Sequence, residues 1–144
     1  MAHSNTGNYK AKHKAGKKIS PRLVEAINRK VVNGEMACGQ ANRIAGSLRL
    51  DLKDVGTALD LMEIRITKCQ LGFFGYGQDD KPLKPAKIIK TDMEEAIREA
   101  LVDNRLTCRA AWDLAARFGV PKMRISSLCE TLNIKITSCQ LGAF

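Results

Sequence analysis

Residues 64–74 read IRITKCQLGFF, and residues 134–144 read IKITSCQLGAF. Their cysteines, Cys69 and Cys139, lie 139 − 69 = 70 positions apart, and the same offset runs upstream without a gap. It pairs Ile19 with Ile89, Glu25-Ala26-Ile27 with Glu95-Ala96-Ile97, and Val32 with Val102. It then pairs Cys38 with Cys108, Ala41 with Ala111 and Ala45 with Ala115. One shared tripeptide arises by chance, whereas a continuous register across a whole segment does not. The chain is one small domain built twice. Two copies of a unit this long indicate a tandem duplication rather than a solenoid array. The boundaries are a tail at 1–18, repeat 1 at 19–74, a linker at 75–88 and repeat 2 at 89–144. Each copy is short enough to be marginal alone, so the copies are expected to pack on each other.

The periodicity within each copy predicts three helices and a strand, a mainly α fold with short β-strands. Ser20-Pro21 is a helix start, with Ser as cap and Pro in the first turn, and Asn33-Gly34 is a stop. Cys38, Ala41, Ile44, Ala45 and Leu48 recur at spacings of three and four, as one face of a second helix requires. Asp51 opens a third helix with Val55, Ala58, Leu59 and Met62 inward. The period then becomes two. Ile64 and Ile66 alternate with Arg65 and Thr67, and β-branched residues dominate, which predicts a strand. Repeat 2 follows the same order. Thr91 and Glu94 form a capping-box pattern, and Thr107 is placed to cap the second helix. Gly119 ends that helix, Val120-Pro121 starts the third, and Ile134 and Ile136 open the strand.

Charge is uneven along the 144 residues, whose net charge is +9. Residues 1–18 contain Lys10, Lys12, Lys14, Lys17 and Lys18 and no acid, for +5. Repeat 1 contributes +2, the linker +1 and repeat 2 +1. The tail is polar and Lys-rich, so it is predicted to be disordered, and its charge indicates a polyanionic partner. No apolar run approaches the length of a membrane span, and the charged N-terminus is followed by no hydrophobic stretch of a secretory signal.

Cys38, Cys69, Cys108, Cys129 and Cys139 show no C-x-x-C spacing, and the only histidines, His3 and His13, lie in the tail. That supplies no compact set of zinc ligands, so neither a metal nor a cofactor is expected. An odd number of cysteines without a signal segment points to a reducing, cytoplasmic setting. Cys38 and Cys108 read as core positions; for Cys69 and Cys139 redox sensing is the alternative. No nucleophile–histidine pair lies outside the tail, and there is no Walker loop or H-E-x-x-H, so no catalytic residues and no enzyme activity are expected.

Residues 110–128, AAWDLAARFGVPKMRISSL, resemble a helix-turn-helix. Ala115 stands where two helices cross, Gly119 suits the left-handed turn, and Val120, Ile125 and Leu128 close the corner. With a strand following, each copy resembles the winged-helix superfamily. The resemblance implies a DNA-binding protein and transcriptional regulator that contacts double-stranded DNA. It casts helix three of repeat 2 as the reading helix, with Lys122, Arg124, Ser126 and Ser127 on its outer face. Arg105, Arg109 and Arg117, with the tail lysines, would hold phosphates. Repeat 1 departs from the pattern: Arg49 replaces the turn glycine and Ala58 an outer apolar residue. Its third helix carries Asp51, Asp54, Asp60 and Glu63, ill-suited to phosphates. Trp112 reads as a packing residue.

The chain ends before a second wing strand, so the strand of each copy needs a partner. Antiparallel pairing of 64–71 with 134–141 would relate the copies by a pseudo-twofold, and the same strands are candidate surfaces for a homodimer or protein partner. The alternative function is an accessory module that uses these repeats for protein contacts without nucleic acid.

Overall fold

The computed structural model describes residues 9–13, 18–77 and 82–144. Among them are six α-helices and four three-residue strands in two small sheets. Repeat 1 supplies α1 (Pro21–Lys30), β1 (Glu35–Ala37), α2 (Cys38–Leu48), α3 (Leu52–Leu61) and β2 (Arg65–Thr67). Repeat 2 supplies α4 (Thr91–Glu99), β3 (Arg105–Thr107), α5 (Cys108–Phe118), α6 (Lys122–Leu132) and β4 (Lys135–Thr137). Ser20 and Pro21 stand where expected at the start of α1, and Thr107 caps α5 by accepting the Ala110 N–H at 3.1 Å. The capping box of α4 does not form. Lys90 is its N-cap, Asp92 accepts the Met93 N–H, and Glu94 pairs with Arg98. Side chains four apart on one helix face make that last exchange favourable.

The α5–α6 turn has the geometry its sequence indicates. Gly119 is left-handed at φ 65°, and the Val120 N–H reaches the Ala115 carbonyl at 3.0 Å. Repeat 1 builds the same turn without glycine. Arg49 adopts φ 56°, and the Leu50 N–H reaches the Ala45 carbonyl at 2.9 Å. A side chain held there costs about 1–2 kcal/mol, which helix packing overrides. Ala45 and Ala115 are both buried beneath their turns.

Strand pairing differs from the expectation. β2 pairs with β1 and β4 with β3, each in parallel and each within its own repeat. The antiparallel pairing of 64–71 with 134–141 is absent, and the pseudo-twofold argued from it loses its basis. The partner strands β1 and β3 are too short to display an alternation in sequence. They precede α2 and α5 without a break, so the following helix pair acts as the long crossover that parallel strands need. Met36, Ile66 and Leu106, Ile136 form the buried centre of each sheet. Among the described residues no hairpin follows β2 or β4, so neither repeat carries a two-stranded wing.

The chain divides into two compact units that do not coincide with the repeats. Unit 1 comprises residues 1–69 and 140–144, and unit 2 comprises 70–139. The QLG segment after each strand therefore belongs to the other unit. In unit 1, Gly56 on α3 lies against the backbone of Leu141. In unit 2, Ser126 on α6 occupies the matching position, 126 − 70 = 56, and its hydroxyl donates to the Leu71 carbonyl at 2.6 Å. Leu71 and Leu141 are both buried.

The described part of the tail is ordered, against the expectation of disorder, and the rest of 1–18 lies outside the described residues apart from Lys18. Tyr9–Lys12 form a 3-10 turn in unit 1, with Tyr9 buried. The Tyr9 and Lys10 N–H groups donate to the two carboxylate oxygens of Glu63, each at 2.9 Å. Lys12 and His13 approach the same oxygen of Asp60 at 3.0 and 2.9 Å. The acidic end of α3 is thus where the N-terminal arm docks.

Candidate nucleic-acid interface

The residues expected to contact DNA fall into three groups. Arg105 on β3 and Arg109 and Arg117 on α5 are exposed, as phosphate contact requires. Arg117 lies against its neighbour Phe118, with the guanidinium 5.2 Å from the ring centre. Alternation along β3 sends Leu106 inward and leaves Arg105 outside.

The α6 residues are placed differently. Ser126 is 0% exposed. Its hydroxyl is held by the Leu71 carbonyl and by the Met123 carbonyl at 3.1 Å. A hydroxyl enclosed this way cannot reach a base edge, so its assignment to base reading is corrected to a structural one. Arg124 and Ser127 are half-buried beneath the linker. The Arg124 guanidinium donates to the Ile88 carbonyl at 3.0 Å, and the Ala86 N–H donates to the Ser127 carbonyl at 3.1 Å. One turn on, the Thr131 hydroxyl donates to the Ala86 carbonyl at 2.9 Å. Residues 86–88 therefore run along the face of α6 that a reading helix would present. Lys122 is also half-buried, its ammonium 4.5 Å from the Trp112 ring centre, a cation–π contact. Trp112 is thereby engaged within its own unit.

Of the tail lysines, Lys10 and Lys18 are exposed. Lys12 is committed to Asp60 and to the Gly142 carbonyl at 3.1 Å. Lys14 and Lys17 lie outside the described residues.

Charge in the folded repeats separates by copy once matched segments are compared. Residues 35–65 hold four basic and five acidic side chains, for −1; residues 105–135 hold six and two, for +4. The totals for the whole repeats conceal this, because Asp92, Glu94, Glu95 and Glu99 collect on α4. Lys135 on β4, exposed and opposite Arg105 in the sheet register, was not singled out by the sequence. Its signal is the pairing of β3 with β4, which one strand alone cannot reveal.

None of the five cysteines is in a disulfide; four are buried and Cys139 is half-buried. Burial, with the nearby Glu130 charge adding, pushes the Cys129 thiol from its ordinary 9.0 up to about 12. A thiol kept protonated is a poor nucleophile. Alkylation of the native protein at neutral pH should therefore mark Cys139 first and Cys129 only on unfolding. Because the folded value is the raised one, the contribution of this thiol to stability is full below pH 9 and is lost as pH rises towards 12. Urea midpoints of the wild type and Cys129→Ala across that range would reveal it as a steeper fall with pH in the wild type than in the variant.

Among the described residues no group of histidines, cysteines and acids could hold a metal ion, and no helix is long and apolar enough to cross a membrane. No family model, no curated protein and no solved structure matches this chain.

Proposed function

We propose that this protein binds double-stranded DNA through the phosphate backbone, with the β3–α5 side of unit 2 as the principal contact and the N-terminal lysines as an auxiliary one. The supporting observation is the separation of charge between matched segments, +4 in 105–135 against −1 in 35–65. The exposed arginines of α5 add to it. In this reading α5 and α6 form a helix-turn-helix of winged-helix type. The linker lies over Arg124 and Ser127 and takes them out of base reading, so in this reading phosphate contacts carry the binding and it is sequence-tolerant. The alternative of a purely protein-binding module rests on the weak net charge of the folded repeats and on the acidic α3. There Asp60 and Glu63 already receive the chain's own arm, which removes their independent weight.

The test is a salt titration of duplex binding by fluorescence anisotropy. Arg109→Glu/Arg117→Glu should weaken binding to unrelated duplexes alike. The log–log salt slope should flatten by roughly 0.9 for each phosphate that the variant no longer neutralises. Two acids placed on α2 of unit 1, Gln40→Glu/Ser47→Glu, should leave the slope unchanged. A wild-type protein with no salt-dependent affinity for duplex DNA would refute the proposal.

A further inference from the structure

The two sheets share one architecture and differ in the charges at their first register position. In unit 1 that position joins Glu35 to Arg65, and the two form an ion pair at 3.3 Å. In unit 2 the same position joins Arg105 to Lys135. Both are exposed, and the inward residues beside them, Leu106 and Ile136, are buried, so the two cations share the outer face. Neighbouring strands lie about 4.8 Å apart, and like charges directly across a sheet are unfavourable. Among the described residues neither cation has an acidic partner, in contrast to the ion pairs of Glu35, Glu94 and Glu25 elsewhere in the chain. Thr107 and Thr137 occupy the next outward positions of the two strands, half-buried. Arg109, exposed, stands in the first turn of α5, which follows β3 without a break.

We propose that Arg105 and Lys135 together form a binding site for one phosphodiester group of DNA, with the phosphate taking the place that the Glu35 carboxylate takes opposite Arg65. The inference rests on the DNA-binding reading above and adds to it a defined site and a new residue, Lys135. An oxyanion between the two cations turns a repulsive pair into two attractive contacts. The guanidinium supplies paired donors and the ammonium a point charge. Because the two cations repel each other, the sheet gains stability when the phosphate binds.

The variants that test the site also protect the fold. Arg105→Glu sets a carboxylate opposite Lys135 and recreates the arrangement of Glu35 and Arg65, and Lys135→Glu sets one opposite Arg105 with the two signs exchanged between the strands. Both should keep or raise the thermal midpoint of the free protein. At ~0.1 M salt each should weaken duplex binding by roughly eightfold or more, with a salt slope flatter by about 0.9. Arg105→Gln should show the same direction without the added acid. Wild-type binding with all three variants unchanged would overturn the site while leaving the DNA-binding reading intact. A wild-type protein that does not bind duplex DNA would overturn both.

Discussion

Gly56→Ala is expected to drive residues 140–144 out of unit 1 and to lower its stability by about 3 kcal/mol. A Cβ built at Gly56 would stand 2.0 Å from the Leu141 carbonyl oxygen and 2.8 Å from its Cα. These are backbone atoms, so no side-chain rotation relieves the overlap. The tail must move, and Leu141, now buried, would return to solvent. Gly56→Ser should be as damaging, even though serine stands at the matching position of unit 2. Ser126 meets the Leu71 carbonyl with a hydroxyl, whereas Gly56 admits the Leu141 carbonyl by having no side chain. The control is Gly46→Ala on α2, where a Cβ meets nothing within 4 Å and helix propensity predicts a gain of about 1 kcal/mol. Urea midpoints and hydrogen exchange at Leu141–Ala143 report both effects. An unchanged midpoint in Gly56→Ala, with residues 141–143 still protected, would refute the close packing.

Ile136→Asp is the second large effect, with an expected cost of about 4 kcal/mol. Ile136 is 7% exposed at the centre of β4, opposite the fully buried Leu106. The substitution removes a buried aliphatic group and leaves a carboxylate among apolar neighbours, with Leu106 as its cross-strand partner. Because β4 pairs with β3, the primary damage lies in the unit 2 sheet. Amides at Arg105–Thr107 should lose protection along with those at Lys135–Thr137. Lys135→Ala, one residue away but on the exposed face, should change stability by less than about 0.5 kcal/mol. Protection retained at Arg105–Thr107 in Ile136→Asp would count against the parallel β3–β4 pair.

The duplication, the six helices and the two strands after α3 and α6 were legible because each leaves a local trace. Helices repeat apolar residues at three and four, as in Cys38, Ala41 and Ala45. The strands alternate Ile64 and Ile66 with polar residues. The left-handed turn at Gly119 was also legible, since glycine tolerates that conformation best. Its counterpart at Arg49 was not, because packing rather than residue preference holds it. Function was less legible than fold. Composition located the positive charge in the tail and the acidic third helix in repeat 1, but that Arg105 and Lys135 stand opposite each other emerges only once the strands are paired.

What tertiary structure alone decided was partnership. Three residues, Glu35–Ala37 or Arg105–Thr107, carry too little pattern to announce a strand, and their partners lie thirty positions away in sequence. The QLG segments are the same in both copies, so their sequences do not distinguish docking on the parent repeat from docking on the other. In the tertiary structure each segment docks on the opposite copy, the Leu141 carbonyl against Gly56 and the Leu71 carbonyl against the Ser126 hydroxyl. Ser126 illustrates the reason. A hydroxyl on a helix reads as a surface group, because burying it without a partner is costly. The buried Leu71 carbonyl is the partner that lifts that cost, and it comes from fifty-five residues away.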